Sequence, residues 1–129
     1  MFTGFAPFQA LPPSVADAGK ADGFIHLCRQ AALGFGSDRR TPVDFRPVVR
    51  LRAEPGRLVV LPCTRTHSTD SDEFFALTAD RTMWTRAQAG EGAAFWRYEV
   101  VPVESAPDKI GMLTQSARVD LLKWLRGRC

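Results

Sequence analysis

The chain has 129 residues, 45% of them apolar and 24% charged, with 17 Lys+Arg against 14 Asp+Glu. That composition describes one domain with enough chain for a core of its own, and it excludes disordered, collagen-like and coiled-coil architectures. No apolar run reaches the ~18 residues of a membrane helix, and Met1-Phe2-Thr3-Gly4-Phe5 lacks the basic start and long apolar stretch of a signal peptide, so a cytoplasmic protein is expected.

Residues 1–45 read as a leader. Phe2, Phe5 and Phe8 around Gly4 and Pro7 make an irregular apolar segment that Pro12-Pro13 ends. Phe24, Leu27, Cys28, Ala31 and Leu33 fall near helical spacing behind Asp22 as a cap, so the leader is read as partly helical. Phe24-Ile25-His26-Leu27-Cys28 alone fits a buried strand equally well. Gly34-Phe35-Gly36-Ser37-Asp38 is a loop that delivers Arg39 and Arg40.

From Arg46 the pattern changes to short β segments. Arg46 to Arg52 alternates imperfectly around Val48, Val49 and Leu51, Glu54-Pro55-Gly56 is a turn, and Arg57 to Cys63 carries the run Leu58-Val59-Val60-Leu61. This is a hairpin whose second strand is buried on both faces and stops at Pro62-Cys63-Thr64. A polar loop from Thr64 to Asp72 and a strand from Glu73 to Leu77 follow, then Trp84 and a small-residue run with Gly90 and Gly92. Phe95 to Val103 reads as one strand, rich in aromatic and branched residues. Thr114 or Ser116 caps a helix whose apolar face is Ala117, Leu121, Leu122, Trp124 and Leu125, with Asp120 early and Lys123, Arg126 and Arg128 late, the order the helix dipole favours. The whole predicts a single, mainly β domain over 1–129, a small barrel spanning 46–129 with its C-terminal amphipathic helix, behind the leader.

Chemistry is sparse. No Gly-rich phosphate loop, His-Glu-x-x-His or Gly-x-Ser-x-Gly occurs, and Cys28, Cys63 and Cys129 are an odd, scattered set that writes neither a disulfide framework nor a zinc knuckle. No metal and no cofactor is expected, and Cys28 and Cys63 read as small buried hydrophobes. Residues 36–70 carry seven basic groups against four acidic ones, and fourteen of the chain's basic residues are Arg. The planar guanidinium fork suits phosphate, so Arg39, Arg40, Arg46, Arg50 and Arg52 are candidates for holding a polyanion, or a solvated strand face. Arg46 opens one strand and Thr64 ends the next. A hairpin brings such positions together, where a guanidinium neutralises charge on a phosphate and a hydroxyl donates to its oxygen.

Arg46-Pro47-Val48-Val49 and Leu61-Pro62-Cys63-Thr64, with Tyr98-Glu99-Val100-Val101-Pro102 and Lys109-Ile110-Gly111-Met112-Leu113-Thr114, resemble the MazF/PemK family of toxin endoribonucleases over residues 44–127. The resemblance implies an SH3-like barrel that cleaves single-stranded RNA without a metal, by attack of the ribose 2′-hydroxyl on the adjacent phosphate. It implies Arg46 and Thr64 as catalytic residues, Arg39, Arg40, Arg65 and His67 as RNA-binding residues, a homodimer, and an antitoxin protein as partner. The opening Gly-Asp-Ile/Val strand of such proteins has no counterpart before Arg46.

Other readings compete. The same fold can serve as a non-catalytic module that binds nucleic acid or protein. Asp22-Gly23-Phe24-Ile25-His26-Leu27 resembles a short motif of an ADP-ribosyltransferase-like family in which His26 would contact a nucleotide, while a hydrogen-bonded core histidine is the plainer reading. Cys63 with His67 suggests a thiol and its base, without an orienting third group. Asp70, Asp72 and Glu73 read as a solvated acidic loop rather than a cation site, and Trp84, Phe95 and Trp96 as core aromatics rather than base-stacking ones.

Overall fold

The computed structural model describes residues 21–36, 43–65, 73–84 and 92–127, and among them eight antiparallel strands form one nearly closed barrel with a C-terminal helix. The strands are β1 (Phe24–Arg29), β2 (Phe45–Glu54), β3 (Arg57–Thr64), β4 (Phe74–Leu77), β5 (Thr82–Trp84), β6 (Gly92–Phe95), β7 (Glu99–Pro102) and β8 (Asp108–Leu113). The helix α1 spans Gln115–Arg126, and single 3₁₀ turns lie at Gln30–Ala32 and Val103–Ser105. The sheet runs β4-β6-β3-β2-β1-β8-β5, with β7 added to β3.

The predicted hairpin is its spine. Glu54 pairs with Arg57 across Pro55-Gly56, and Gly56 sits at φ +78°, a backbone state that Cβ disfavours in other residues. Both faces of β3 are buried because two cores lie against them. Val59, Leu61 and Cys63 enter the main core with Leu121 and Leu125 of α1, while Leu58 and Val60 enter a smaller one with Cys28, Val48 and Val101. Along its second edge β3 pairs with β7 at Arg57–Val60 and with β6 at Cys63–Thr64. The expected continuous strand from Phe95 to Val103 is therefore two strands, broken at Trp96–Tyr98 where the sheet turns the barrel's corner.

The leader differs from its expectation. Phe24–Arg29 is not helical but a strand, held on one edge by β2 and on the other by β8, and among the described residues of the leader only Gln30–Ala32 makes a helical turn; Phe2, Phe5, Phe8 and Pro12-Pro13 lie outside the described residues. The register against β8 shifts between Ile25 and His26, which buries Ile25, His26 and Cys28 together and spoils strict alternation, so the sequence imitates a helical period. Asp22 caps nothing helical; its carboxylate meets Arg50 at 2.9 Å. The helix α1 follows its reading: Thr114 Oγ1 accepts from the Ala117 amide at 3.2 Å, and Ala117, Leu121, Leu122 and Leu125 are buried. No helix among the described residues is long and apolar enough to cross a membrane.

Candidate functional site

Arg46 opens β2, and its side chain turns inward, only 5% exposed. Burying a guanidinium is costly unless its donors find acceptors. Here Nη1 donates to the Cys63 carbonyl at 2.8 Å and Nε donates to Gln30 Oε1 at 2.7 Å. The Gln30 amide in turn donates from Nε2 to the Phe35 carbonyl at 2.6 Å, and the Phe35 ring lies 4.9 Å from the guanidinium carbon. A Cβ on Gly36 would collide with Arg46 Nη2, and Gly36 has φ +79°, so only glycine closes the turn this tightly over the charge.

Thr64 ends β3 one residue beyond the carbonyl that Arg46 holds, and it is half-buried. The β2–β3 register, Val48 opposite Pro62 and Val49 opposite Leu61, runs on toward Arg46 and Thr64. Its other neighbour is β6, where Thr64 pairs with Ala93, and a Cβ on Gly92 would come within 2.8 Å of the Thr64 carbonyl oxygen. Small residues there let β6 lie close. Arg65 follows, exposed. Arg46, Thr64 and Arg65 thus share one corner of the barrel, whereas Arg39, Arg40 and His67 lie outside the described residues, as do Asp70 and Asp72.

Sequence reasoning missed three members of this corner. Gln30 and Phe35 sit in the segment read as a helix end and a loop, and Glu99 sits in a strand valued for its apolar residues. Glu99 reaches across to the turn, where its two carboxylate oxygens accept from the Gly34 amide at 2.7 Å and the Phe35 amide at 2.9 Å. Phe95 and Trp96 are not core aromatics as expected. With Phe35 and Phe74 they make a half-buried group outside both cores, with Phe95 5.1 Å from Phe35, 5.4 Å from Phe74 and 6.0 Å from Trp96 between ring centroids. Arg97 lies over the Trp96 ring at 5.1 Å. Trp84 does pack against the main core.

The rival chemistries fare differently. His26 is buried, and its Nδ1 donates to the Ala106 carbonyl at 2.8 Å, the arrangement of a core histidine. Burial pulls its pKa below the ordinary value, the nearby Arg50 and Lys109 charges lower it further, and the bond to Ala106 offsets part of this. Cys63 is buried and its thiol is pushed up to about 12 by burial, the wrong direction for a nucleophile. Burial, with a small contribution from Glu99, pushes Cys28 up to about 11. Among the described residues no cluster of three His, Cys, Asp or Glu side chains is placed to hold a metal ion.

No family model and no curated protein matches the sequence. Among solved structures the chain is similar to a Mycobacterium tuberculosis toxin, MazF-mt6, at 17% identity and a TM-score of 0.56, covering 81% of this chain and 94% of that one. An identity this low speaks for the backbone alone, and the fold of the chain is MazF-like: a mainly β barrel with one C-terminal helix.

Proposed function

We propose that the chain is a toxin-type endoribonuclease that cleaves single-stranded RNA without a metal, acting as a homodimer and restrained by an antitoxin protein. The observation that supports this most is the reach of the Arg46 guanidinium to the carbonyl of Cys63, the residue preceding Thr64. In the reaction the ribose 2′-oxygen bonds to phosphorus while the bond from phosphorus to the 5′-oxygen breaks. The proton lost by the 2′-hydroxyl ends on the leaving oxygen. Arginine is a poor base at neutral pH, so the role of Arg46 is to neutralise the non-bridging oxygens as charge builds on them, while Thr64 donates a hydrogen bond to one of those oxygens. Arg65, with Arg39, Arg40 and His67, supplies further contacts along the strand. Because Phe35 and Gly36 cover Arg46, this turn has to lift as RNA enters.

The burial of Arg46 favours a second reading, a binding module in which the guanidinium only ties β2 to β3. One experiment separates them: cleavage of a single-stranded RNA by the purified chain in the presence of a chelator. On the nuclease reading, Arg46→Gln and Thr64→Val each slow cleavage by about 100-fold or more while Thr64→Ser retains most of it, since losing one oxyanion donor typically costs that much. RNA binding with no cleavage, or cutting undiminished in both variants, overturns the nuclease reading.

A further inference from the structure

The amides of Gly34 and Phe35 are consecutive and converge on one carboxylate, that of Glu99. Adjacent backbone N–H groups aimed at a common point are a recurrent way for proteins to hold an anion, and charge-assisted bonds of this kind are among the strong ones. Glu99 comes from a distant part of the chain, 65 positions from Gly34, and no cation forms an ion pair with it among the described residues. The turn that receives it is the one whose next residue, Gly36, abuts Arg46, and whose Phe35 ring lies on that guanidinium. Two amides and a guanidinium therefore meet the same three-residue turn, and the amides already hold an oxyanion.

A carboxylate and a phosphodiester both offer a pair of oxygens to such donors. We propose that the Gly34 and Phe35 amides form a phosphate-binding site which Glu99 fills as an internal mimic, to be displaced by a phosphate of the incoming RNA. The inference rests on the ribonuclease reading only for the identity of the polyanion. Displacing the mimic frees the turn from β7 and gives the phosphate chain a second contact beside Arg46, so the same exchange unlatches the covered guanidinium. The tethered carboxylate competes with free anions at high local concentration, which makes the closed state the resting one.

The test is an amide-resolved NMR titration of the full chain with inorganic phosphate at matched ionic strength. In Glu99→Ala the Gly34 and Phe35 amide signals should move saturably, and the wild type should require at least tenfold more phosphate for the same displacement. Glu99→Gln, which keeps one acceptor oxygen and loses the charge, should fall between them. Signals that stay still in Glu99→Ala, or that move equally in both proteins, overturn the proposal. Should the variants fail to fold, the wild type still decides. A single-stranded oligonucleotide with 2′-deoxyribose, which cannot be cut by this route, should move the same two amides, and a titration that leaves them unmoved sinks the idea. These readouts involve no cleavage, so a failure of the nuclease reading leaves a different trace.

Discussion

At Arg46 a single residue carries two demands. Its charge has to be taken largely out of water, and its fork has to be held in one direction, and both are met by neutral acceptors: a carbonyl, a carboxamide and an aromatic face. Gln30 is the hinge of this arrangement because its amide serves Arg46 on one side and Phe35 on the other. Gln30→Ala leaves a buried donor and a carbonyl without these partners, so a loss of about 1–3 kcal/mol is expected in denaturant melts. Cleavage in that variant should fall mainly in kcat, since the charge remains but its aim does not. An unchanged kcat would separate Gln30 from the chemistry. That Arg46 and Thr64 stand at neighbouring strand ends was legible in the sequence because a hairpin's register is short-range, whereas Gln30, Phe35 and Glu99 join the corner through contacts that no local pattern encodes. His26 gives the residue scale its pH dependence. Its pKa is lowered on folding, so the unfolded chain binds the extra proton first, and stability is lost as pH falls below the ordinary histidine value near ~6.5. Thermal melts from pH 7.5 down to 5 should show a fall in midpoint that His26→Gln lessens; equal slopes in the two proteins would remove the assignment.

Among the elements, α1 and the β2–β3 hairpin were readable for the same reason: each announces itself in one short continuous stretch of chain. The helix has a threonine cap, a buried stripe at Ala117, Leu121, Leu122 and Leu125, and Lys123 and Arg126 in its last turn. Thr114→Ala removes the oxygen that accepts from Ala117 and should cost about 1 kcal/mol by chemical denaturation, with Thr114→Ser nearly neutral. A cost equal to that of a core truncation would mean the threonine methyl, not the cap, is the stabilising group. The opening strand β1 was unreadable in kind. Its bulge places Ile25 and Cys28 three apart on buried positions, a spacing a helix also uses, and only the partners on both edges decide between the two. Similarly, the corner between β6 and β7 is set by β3, which both strands share, rather than by any breaker between Phe95 and Glu99.

For the molecule as a whole the position of β1 matters more than its identity. A leader docked on a finished barrel could detach while the remainder stayed folded, but β1 lies between β2 and β8 and closes the path from the hairpin to the strand that leads into α1. Ile25 is fully buried in the main core with Val49, Leu61, Leu113 and Leu121, residues drawn from four other elements. Removing its side chain therefore subtracts from these five elements at once. We expect Ile25→Ala to cost about 2–5 kcal/mol, the range for truncating a buried aliphatic residue, through one cooperative transition with an unchanged denaturant dependence. Native-state hydrogen exchange should show the amides of β2, β3 and β8 losing protection by that same free energy, because the sheet cannot open at β1 without exposing both neighbours. Protection lost only over Phe24–Arg29, with the hairpin untouched, would show instead that β1 unfolds independently of the barrel.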